Sequence, residues 1–216
     1  MVCEHFLEQG GTVIGLARGV STITHEAYRH YQVDLVQLAA IEETFLALRK
    51  EFPALHILVN NAGVLVSQHA LLMPASAVRT MIDTNLVAPF FVSREAAKMM
   101  RKGKWGRIIN ISSMASSLEP VGDSVYAACK VGLSTMGNVL AKELASFNIT
   151  VNTLAISAIA TDMFAQLPEA TIQRIIASLP VPRLATPDDV FNVIDFFASE
   201  RSSYITAQTV FLAGVN

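Results

Sequence analysis

The chain has 216 residues, a length that suits one domain with one sizeable hydrophobic core. Apolar residues make up 52% of it and charged residues only 16%, which leaves too few polar side chains to cover a fully solvated surface. We therefore expect subunit contacts, in a homodimer or a homotetramer. The net charge of -2 provides no basic footprint, so we expect no nucleic-acid partner.

The cysteines and the chain start indicate the compartment. Cys3 and Cys129 lie far apart, which matches neither a disulfide framework nor a zinc site and indicates a reducing environment. The histidines are scattered, so we expect no metal site. No secretory signal is recognisable, and no apolar run approaches the roughly 18 residues of a membrane span. These features predict a cytoplasmic protein that does not bind a membrane.

Short apolar runs alternate with helical patterns along the chain, which is typical of βαβ units and a parallel sheet. The runs are rich in Val and Ile and apolar on both faces, as buried parallel strands should be. They cover residues 12–17, 31–35, 56–60, 107–112, 150–156 and 209–212. The sequence therefore predicts an α/β fold with a doubly wound parallel sheet.

The segments between these runs repeat apolar residues at steps of three and four, the spacing of an amphipathic helix. Three predicted helices cover about residues 38–49, 74–101 and 126–146. A fourth begins at Thr186, where Thr-Pro-Asp-Asp reads as an N-cap, a proline in the first turn and two acids at the positive helix end. We find no repeat and no linker, so we predict a single domain over residues 1–216.

Tyr126 and Lys130 lie one turn apart on the same face of a predicted helix. An ammonium near a phenol favours the phenolate, so we expect Lys130 to lower the tyrosine pKa from about 10 toward neutrality, where it can exchange a proton with a carbonyl or alcohol oxygen. Ser113, at the end of the preceding strand, can hold that oxygen. The pair alone is common on helix surfaces, so the interpretation depends on its surroundings.

Those surroundings resemble the short-chain dehydrogenase/reductases. Residues 60–63, Asn-Asn-Ala-Gly after a buried strand, are similar to a family motif, and Asn85 in Asp-Thr-Asn-Leu is similar to the asparagine of its catalytic tetrad. Ser113 stands at the family's distance from Tyr126, and Tyr-Ala-Ala-Cys-Lys at 126–130 resembles Tyr-x-Ala-Ser-Lys. Further segments, in family order, lie at residues 150–152, 161–163, 180–183 and 205–208.

The resemblance implies a Rossmann-like fold and hydride transfer between a nicotinamide cofactor and a ketone or secondary alcohol. It implies that Tyr126 is the general acid/base and that Lys130 tunes it and holds the nicotinamide ribose. Ser113 would position the reacting oxygen, and Asn85 would support a water-linked proton path to Lys130. The implied cofactor-binding residues are Arg18, Asp34, Asn61, Ala62, Gly63, Tyr126, Lys130, Ile159 and Thr161.

The end of the strand at residues 12–17 bears on the cofactor. An acid there would bind the ribose 2′-hydroxyl and favour NAD(H). The chain has Ala17 followed by Arg18, whose charge and planar guanidinium suit a 2′-phosphate. We therefore favour NADP(H) over NAD(H), with a solvated strand-end arginine as the alternative. Asp34, at the end of the next strand, is by resemblance the adenine-contacting aspartate, or else a turn-forming acid.

The family's opening strand and its Thr-Gly-x-x-x-Gly-x-Gly turn, which admits the pyrophosphate to a helix N-terminus, are missing from the sequence. Val2, Phe6 and Leu7 look like the inner face of the helix that should follow, with Gly10 and Gly11 as its stop. In the family's sheet, ordered 3-2-1-4-5-6-7, the missing strand lies in the middle. Its neighbours must pair directly or leave open edges, and the sequence leaves open whether residues precede Met1.

Three functions remain open. The first is an NADP-dependent ketoreductase, similar to the beta-ketoacyl-carrier-protein reductases, that acts on a carbonyl or alcohol substrate, acyl groups included. The second is a non-catalytic, truncated subunit that acts by association with other chains. The third is an NAD-dependent alcohol dehydrogenase. The complete set of Asn85, Ser113, Tyr126 and Lys130 favours an enzyme, so we place the ketoreductase first.

Overall fold

The computed structural model describes residues 1–159 and 169–214. Its helices are α1 (Val2–Glu8), α2 (Leu38–Glu51), α3 (Ala75–Ile82), α4 (Ala88–Gly103), α5 (Ala115–Leu118), α6 (Ser124–Leu144), α7 (Glu169–Ser178) and α8 (Pro187–Ala198). Its strands are β1 (Val13–Ala17), β2 (Tyr28–Gln32), β3 (Ile57–Asn60), β4 (Gly106–Ser113), β5 (Ile149–Ile156) and β6 (Thr209–Phe211). Within this described part, no helix is long and apolar enough to cross a membrane.

The strands form two parallel sheets. One pairs β1 with β2, and the other has the order β3-β4-β5-β6. In the larger sheet Ile57 lies opposite Arg107, and the whole of β4 pairs with β5, from Gly106 opposite Ile149 onwards. Strands β1 and β3 thus belong to different sheets, and each has one edge without a strand partner among the described residues. The sequence analysis expected these two strands either to pair directly or to leave open edges, and the structure has the open edges.

Two apolar layers cover the larger sheet. On one face, side chains of α2, α4 and α6, among them Phe45, Val92 and Leu140, pack on Ile108 of β4. On the other face α8 packs on β4 and β5, with α1 beside it. Because both faces are covered, β4 and β5 are buried along nearly their whole length. This explains why their sequences read as unbroken apolar runs.

The strand predicted at residues 31–35 is the largest positional error. The structure has it at Tyr28–Gln32, paired in parallel with β1. The sequence pattern did not predict this position because β2 is only half-buried and its residues are polar, so it does not read as an apolar run. The chain turns at Asp34, whose carboxylate accepts a hydrogen bond from the Val36 N–H at 3.3 Å. Asp34 therefore follows the strand by two residues and does not end it.

The helix predicted over residues 74–101 is interrupted by a π-helical turn at Asp83–Val87, between α3 and α4. Pro89 explains the interruption, because it has no N–H to donate to the carbonyl of Asn85 and its ring would clash with that carbonyl. The N–H of Ala88 bonds instead to Asp83, five residues back. Such turns insert one extra residue into a helix and occur often at functional sites.

A cluster of charges joins α2 to α4. Glu95 is only 2% exposed, and its carboxylate accepts hydrogen bonds from Arg49, Arg94 and Lys98. Burial raises the pKa of Glu95, but these three cations outweigh it and hold the pKa below its ordinary value. A buried carboxylate is tolerated in a helix interface only when it is compensated in this way.

The N-cap of α8 gives a test of local stability. Thr186 accepts a hydrogen bond from the Asp189 N–H, and the Asp189 carboxylate accepts one from the Thr186 N–H in return. We expect Thr186→Ala to cost about 1 kcal/mol and to lower the melting temperature by roughly 2–4 °C, as measured by circular dichroism. Thr24→Ala, in an exposed loop, is the control. Equal melting temperatures for the two variants would contradict the role of the cap.

Candidate active site

The carboxyl ends of the parallel strands meet at one edge, where open α/β sheets bind their ligands. The predicted residues follow the strands at this edge: Arg18 directly after β1, Asp34 after β2, Asn61, Ala62 and Gly63 after β3, Ser113 at the end of β4 and Ile159 after β5. Ile159 is partly buried and forms an isolated bridge with Ala185. Thr161 lies outside the described residues.

Asn85 sits in the π turn and is fully buried. Its amide group makes a reciprocal pair with the backbone of Val64: Oδ1 accepts from the N–H at 2.9 Å, and Nδ2 donates to the carbonyl at 2.8 Å. A Cβ on Gly63 would lie 3.1 Å from Asn85 Oδ1 and 3.5 Å from Lys130 Nζ. The backbone of Gly63 therefore lies in a narrow space between these two side chains.

Lys130 is 4% exposed although it carries an ammonium group. Its Nζ donates to the Ile111 carbonyl of β4 at 2.8 Å and lies 5.6 Å from the centre of the Tyr126 ring. Burial lowers its pKa from 10.5 to about 8, because the charged form loses its hydration. The Ser112 hydroxyl donates to the Lys130 carbonyl at 3.2 Å, so α6 is bonded to β4 twice at this residue.

Tyr126 and Ser113 lie together, as the sequence predicts. Burial raises the pKa of Tyr126, a hydrogen bond with Ser113 lowers it, and the charge of Asp123 raises it again, for a net increase. The expected fall of this pKa toward neutrality under the influence of Lys130 is therefore not found. The physical reason is that the phenol is largely buried, while the ammonium of Lys130 is bonded to a carbonyl beneath the ring.

The residues at the other end of the edge are more open. Arg18 is exposed, and its carbonyl accepts a hydrogen bond from the Gln32 side chain at 2.8 Å. Asn61, Ala62 and Gly63 are exposed as well. These groups can meet a ligand without rearrangement of the core.

Asp123 is a neighbour of Tyr126 that the sequence analysis did not single out. It stands three residues before Tyr126, and its charge acts on the phenol. The signal was present in the sequence, since residues three apart on a helix share a face.

Burial of Lys130 predicts a pH-dependent stability. The pKa of Lys130 is about 8 in the folded protein and 10.5 ordinarily. The buried charge therefore destabilises the fold fully below about pH 8, and this destabilisation is lost as the pH rises from about 8 to about 10.5. We expect Lys130→Met to raise the free energy of unfolding by about 2 kcal/mol at neutral pH, with the gain shrinking over that window. Urea unfolding across this range is the measurement. Lys142→Met, exposed on the same helix, should show no such trend; a constant difference for Lys130→Met would refute the assignment.

Comparisons with known proteins identify the family of the chain. The family model described as Enoyl-(Acyl carrier protein) reductase matches residues 3–214. Among curated relatives, the 3-oxoacyl-[acyl-carrier-protein] reductase FabG of Rickettsia felis is 38% identical over 86% of this chain and 76% of the relative. The protein of the same name from Salmonella typhimurium is 32% identical over 99% of this chain and 90% of the relative.

Solved structures agree as well. The structure "ElxO with NADP Bound" has a TM-score of 0.90 at 25% identity and covers 98% of this chain and 90% of its own. A putative gluconate dehydrogenase from Agrobacterium tumefaciens has a TM-score of 0.84 at 27% identity, over 87% of this chain and 75% of its own. The predicted Rossmann-like α/β class is thereby confirmed. With the family model matched over nearly the whole sequence, the chain belongs to the short-chain dehydrogenase/reductase family of oxidoreductases.

Proposed function

We propose that the protein reduces a ketone to a secondary alcohol with NADPH and that Tyr126 is the proton donor. One observation carries the proposal: a Cβ on Gly63 would lie 3.1 Å from Asn85 Oδ1 and 3.5 Å from Lys130 Nζ, and that Nζ lies 5.6 Å from the centre of the Tyr126 ring. The names of the FabG relatives favour a 3-oxoacyl group as the substrate. The solved relative with NADP bound favours that cofactor.

The residues present fit the two ends of a dinucleotide. The exposed backbone of Asn61–Gly63 and the ammonium of Lys130 suit the nicotinamide ribose. Glycine is needed at position 63, since a Cβ there would lie 3.1 Å from Asn85 Oδ1. Arg18 suits a 2′-phosphate because its guanidinium is exposed next to β1, and Asp34 follows β2 nearby. Among the described residues we find no glycine-rich turn of the kind that would bind the phosphates.

When bound, the cofactor supplies the hydride that reaches the carbonyl carbon. Tyr126 then donates its proton to the carbonyl oxygen, and Ser113 donates a hydrogen bond to the same oxygen. We assign to Lys130, whose Nζ lies 5.6 Å from the centre of the Tyr126 ring, the role of offsetting the charge of the phenolate that remains, although burial has the largest effect on the pKa of Tyr126. Asn85 holds the backbone of Val64 in place, and the family resemblance implies that it also supports a water-linked proton path to Lys130.

The names of the FabG relatives and the solved relative with NADP bound keep the ketoreductase ahead of the NAD-dependent alcohol dehydrogenase.

We further propose a homodimer or homotetramer in the cytoplasm. Phe90 on α4 and Val131 and Val139 on α6 are between 39% and 48% exposed, so these helices present apolar side chains to a partner. Both cysteines in the described part are free thiols, which suits a reducing compartment.

The direct test is a titration of the purified chain with NADPH and NADH, followed by nicotinamide fluorescence, and then turnover of a 3-oxoacyl thioester. Saturable binding and oxidation of NADPH would support the proposal. A folded chain that binds neither cofactor would refute it. That result would favour the non-catalytic subunit, for which the open edges of β1 and β3 are the supporting observation.

Replacement of the proton donor tests the role of Tyr126. We expect Tyr126→Phe to lower kcat by about 100- to 10,000-fold, because only the hydroxyl is removed, and to leave the Kd for NADPH unchanged. Steady-state kinetics and fluorescence titration measure the two quantities. Tyr204→Phe, at a fully exposed tyrosine, is the matched control. Turnover by Tyr126→Phe close to that of the control would rule out the acid/base role.

Charge reversal at position 18 tests the cofactor preference. We expect Arg18→Glu to raise the Kd for NADPH by about 10- to 100-fold, the effect of losing a hydrogen bond between charged groups. The Kd for NADH should change much less, because NADH has no 2′-phosphate. Arg201→Glu, an exposed arginine next to α8, makes the same charge change away from the site. An unchanged preference in Arg18→Glu would show that Arg18 does not bind the 2′-phosphate.

A further inference from the structure

The connection between β1 and β2 is short for two parallel strands. A parallel pair is usually joined by a crossover of a dozen or more residues, most often a helix. Here β1 ends at Ala17 and β2 begins at Tyr28, and residues 18–27, all of which the structure describes, contain no helix. Arg18, which we propose binds the 2′-phosphate, is the first residue of this connection. Its backbone is therefore not held by a helix that follows the strand.

Bonds from β2 and the residue after it hold this backbone instead. The last carbonyl of β1 accepts a hydrogen bond from the Val33 N–H at 2.8 Å. The next two carbonyls accept from side chains, that of Arg18 from Gln32 Nε2 at 2.8 Å and that of Gly19 from His30 Nε2 at 2.7 Å. The donors step backwards along β2 as the chain advances, so the chain folds over one face of β2 directly at Arg18.

The His30 ring is itself held in one orientation. A carbonyl can only accept a hydrogen bond, so Nε2 carries the hydrogen that goes to Gly19. In the neutral ring Nδ1 is then an acceptor, and it lies 3.1 Å from the Tyr28 hydroxyl, which can donate to it. The two rings are also stacked, with their centroids 6.1 Å apart. Both nitrogens of His30 thus have partners, which preorganises the donor that faces the Gly19 carbonyl.

Gly15 provides the space for this arrangement. It is the buried residue of β1 and lies opposite His30. A Cβ there would lie 2.0 Å from Tyr28 Oη and 2.8 Å from Cζ, so a side chain at this position would displace the tyrosine. Tyr31 packs on the apolar cluster at the other face of the sheet, and alternate residues of a strand share a face. Tyr28, His30 and Gln32 therefore lie together on the face over which the chain folds.

We propose that His30 is a positioning residue for cofactor recognition: its hydrogen bond to the Gly19 carbonyl fixes the backbone that directs Arg18 toward the 2′-phosphate of NADPH. The proposal rests on the proposed function, in which Arg18 binds that phosphate. Arg18 is exposed, so its side chain can meet a ligand while its backbone is held. His30 does not touch the cofactor in this role. It restricts Arg18 before the cofactor arrives, which lowers the entropic cost of binding.

The test measures the Kd of NADPH and of NADH by nicotinamide fluorescence. We expect His30→Leu, which has no donor, to raise the Kd for NADPH by about 3- to 10-fold, the effect of losing one hydrogen bond between neutral groups. The Kd for NADH should stay within about twofold, because NADH has no 2′-phosphate. His30→Gln keeps a side-chain N–H for the Gly19 carbonyl and should bind NADPH within about twofold of the wild type. His56→Leu, at an exposed histidine before β3, is the matched control and should change neither Kd.

A double-mutant cycle shows whether His30 acts through Arg18. We expect Arg18→Ala to weaken NADPH binding and His30→Leu to have no further effect in that variant. Equal losses of NADPH and NADH binding in His30→Leu would indicate a structural role, and additive effects in the double variant would mean that His30 acts independently of Arg18. Either result would overturn the proposal, and so would an Arg18→Ala variant that binds NADPH as the wild type does.

If the wild type binds neither cofactor, the proposed function fails, and a smaller probe decides the inference. Adenosine 2′,5′-bisphosphate and adenosine 5′-phosphate differ only in the 2′-phosphate, and calorimetry measures the binding of each. Tighter binding of the bisphosphate that His30→Leu removes and His30→Gln restores would support the positioning role. Equal binding of the two nucleotides, or a preference that His30→Leu leaves unchanged, would overturn it.

Discussion

The site depends on one hydrogen bond, from the buried ammonium of Lys130 to the carbonyl of Ile111. A cation at 4% exposure needs a partner in the interior, and a strand carbonyl supplies it. That bond holds α6 against β4 at this point, and thereby positions Tyr126 relative to Ser113 at the strand end. The lowered pKa of Lys130 reflects the cost of this arrangement, since a single neutral acceptor does not replace the lost hydration.

Much of this arrangement could be predicted from the sequence, because the decisive strands are buried on both faces and read as apolar runs. Strands β4 and β5 were predicted to within one residue at each end, and Thr186 and its proline marked the start of α8. Strand β2 was misplaced because its residues are polar and half-buried. The raised pKa of Tyr126 could not be predicted either, because it depends on burial, which spacing along a helix does not reveal.

The division of the strands into two sheets affects the two ends of the edge differently. The groups around Lys130 belong to the larger sheet, whose strands are paired and covered by helices. Arg18 and Asp34 follow the strands of the smaller sheet, which reaches the same apolar cluster through partly buried side chains such as Ile14 and Leu16. The residues proposed for proton transfer thus lie on the larger sheet and on α6 beside it, and those proposed for the adenine end follow the strands of the smaller sheet.

The π turn between α3 and α4 has a consequence for how the chain tolerates insertions and deletions. Each residue of an α-helix advances by about 100° around its axis. Loss of one residue within Asp83–Val87 would rotate α4 by that angle and carry Glu95 away from Arg49 of α2, while Asn85 would lose its place opposite Val64. The number of residues in this short segment is therefore constrained in two ways. It sets the rotation of α4 that brings Glu95 to Arg49, and it sets the orientation of the Asn85 side-chain amide toward Val64.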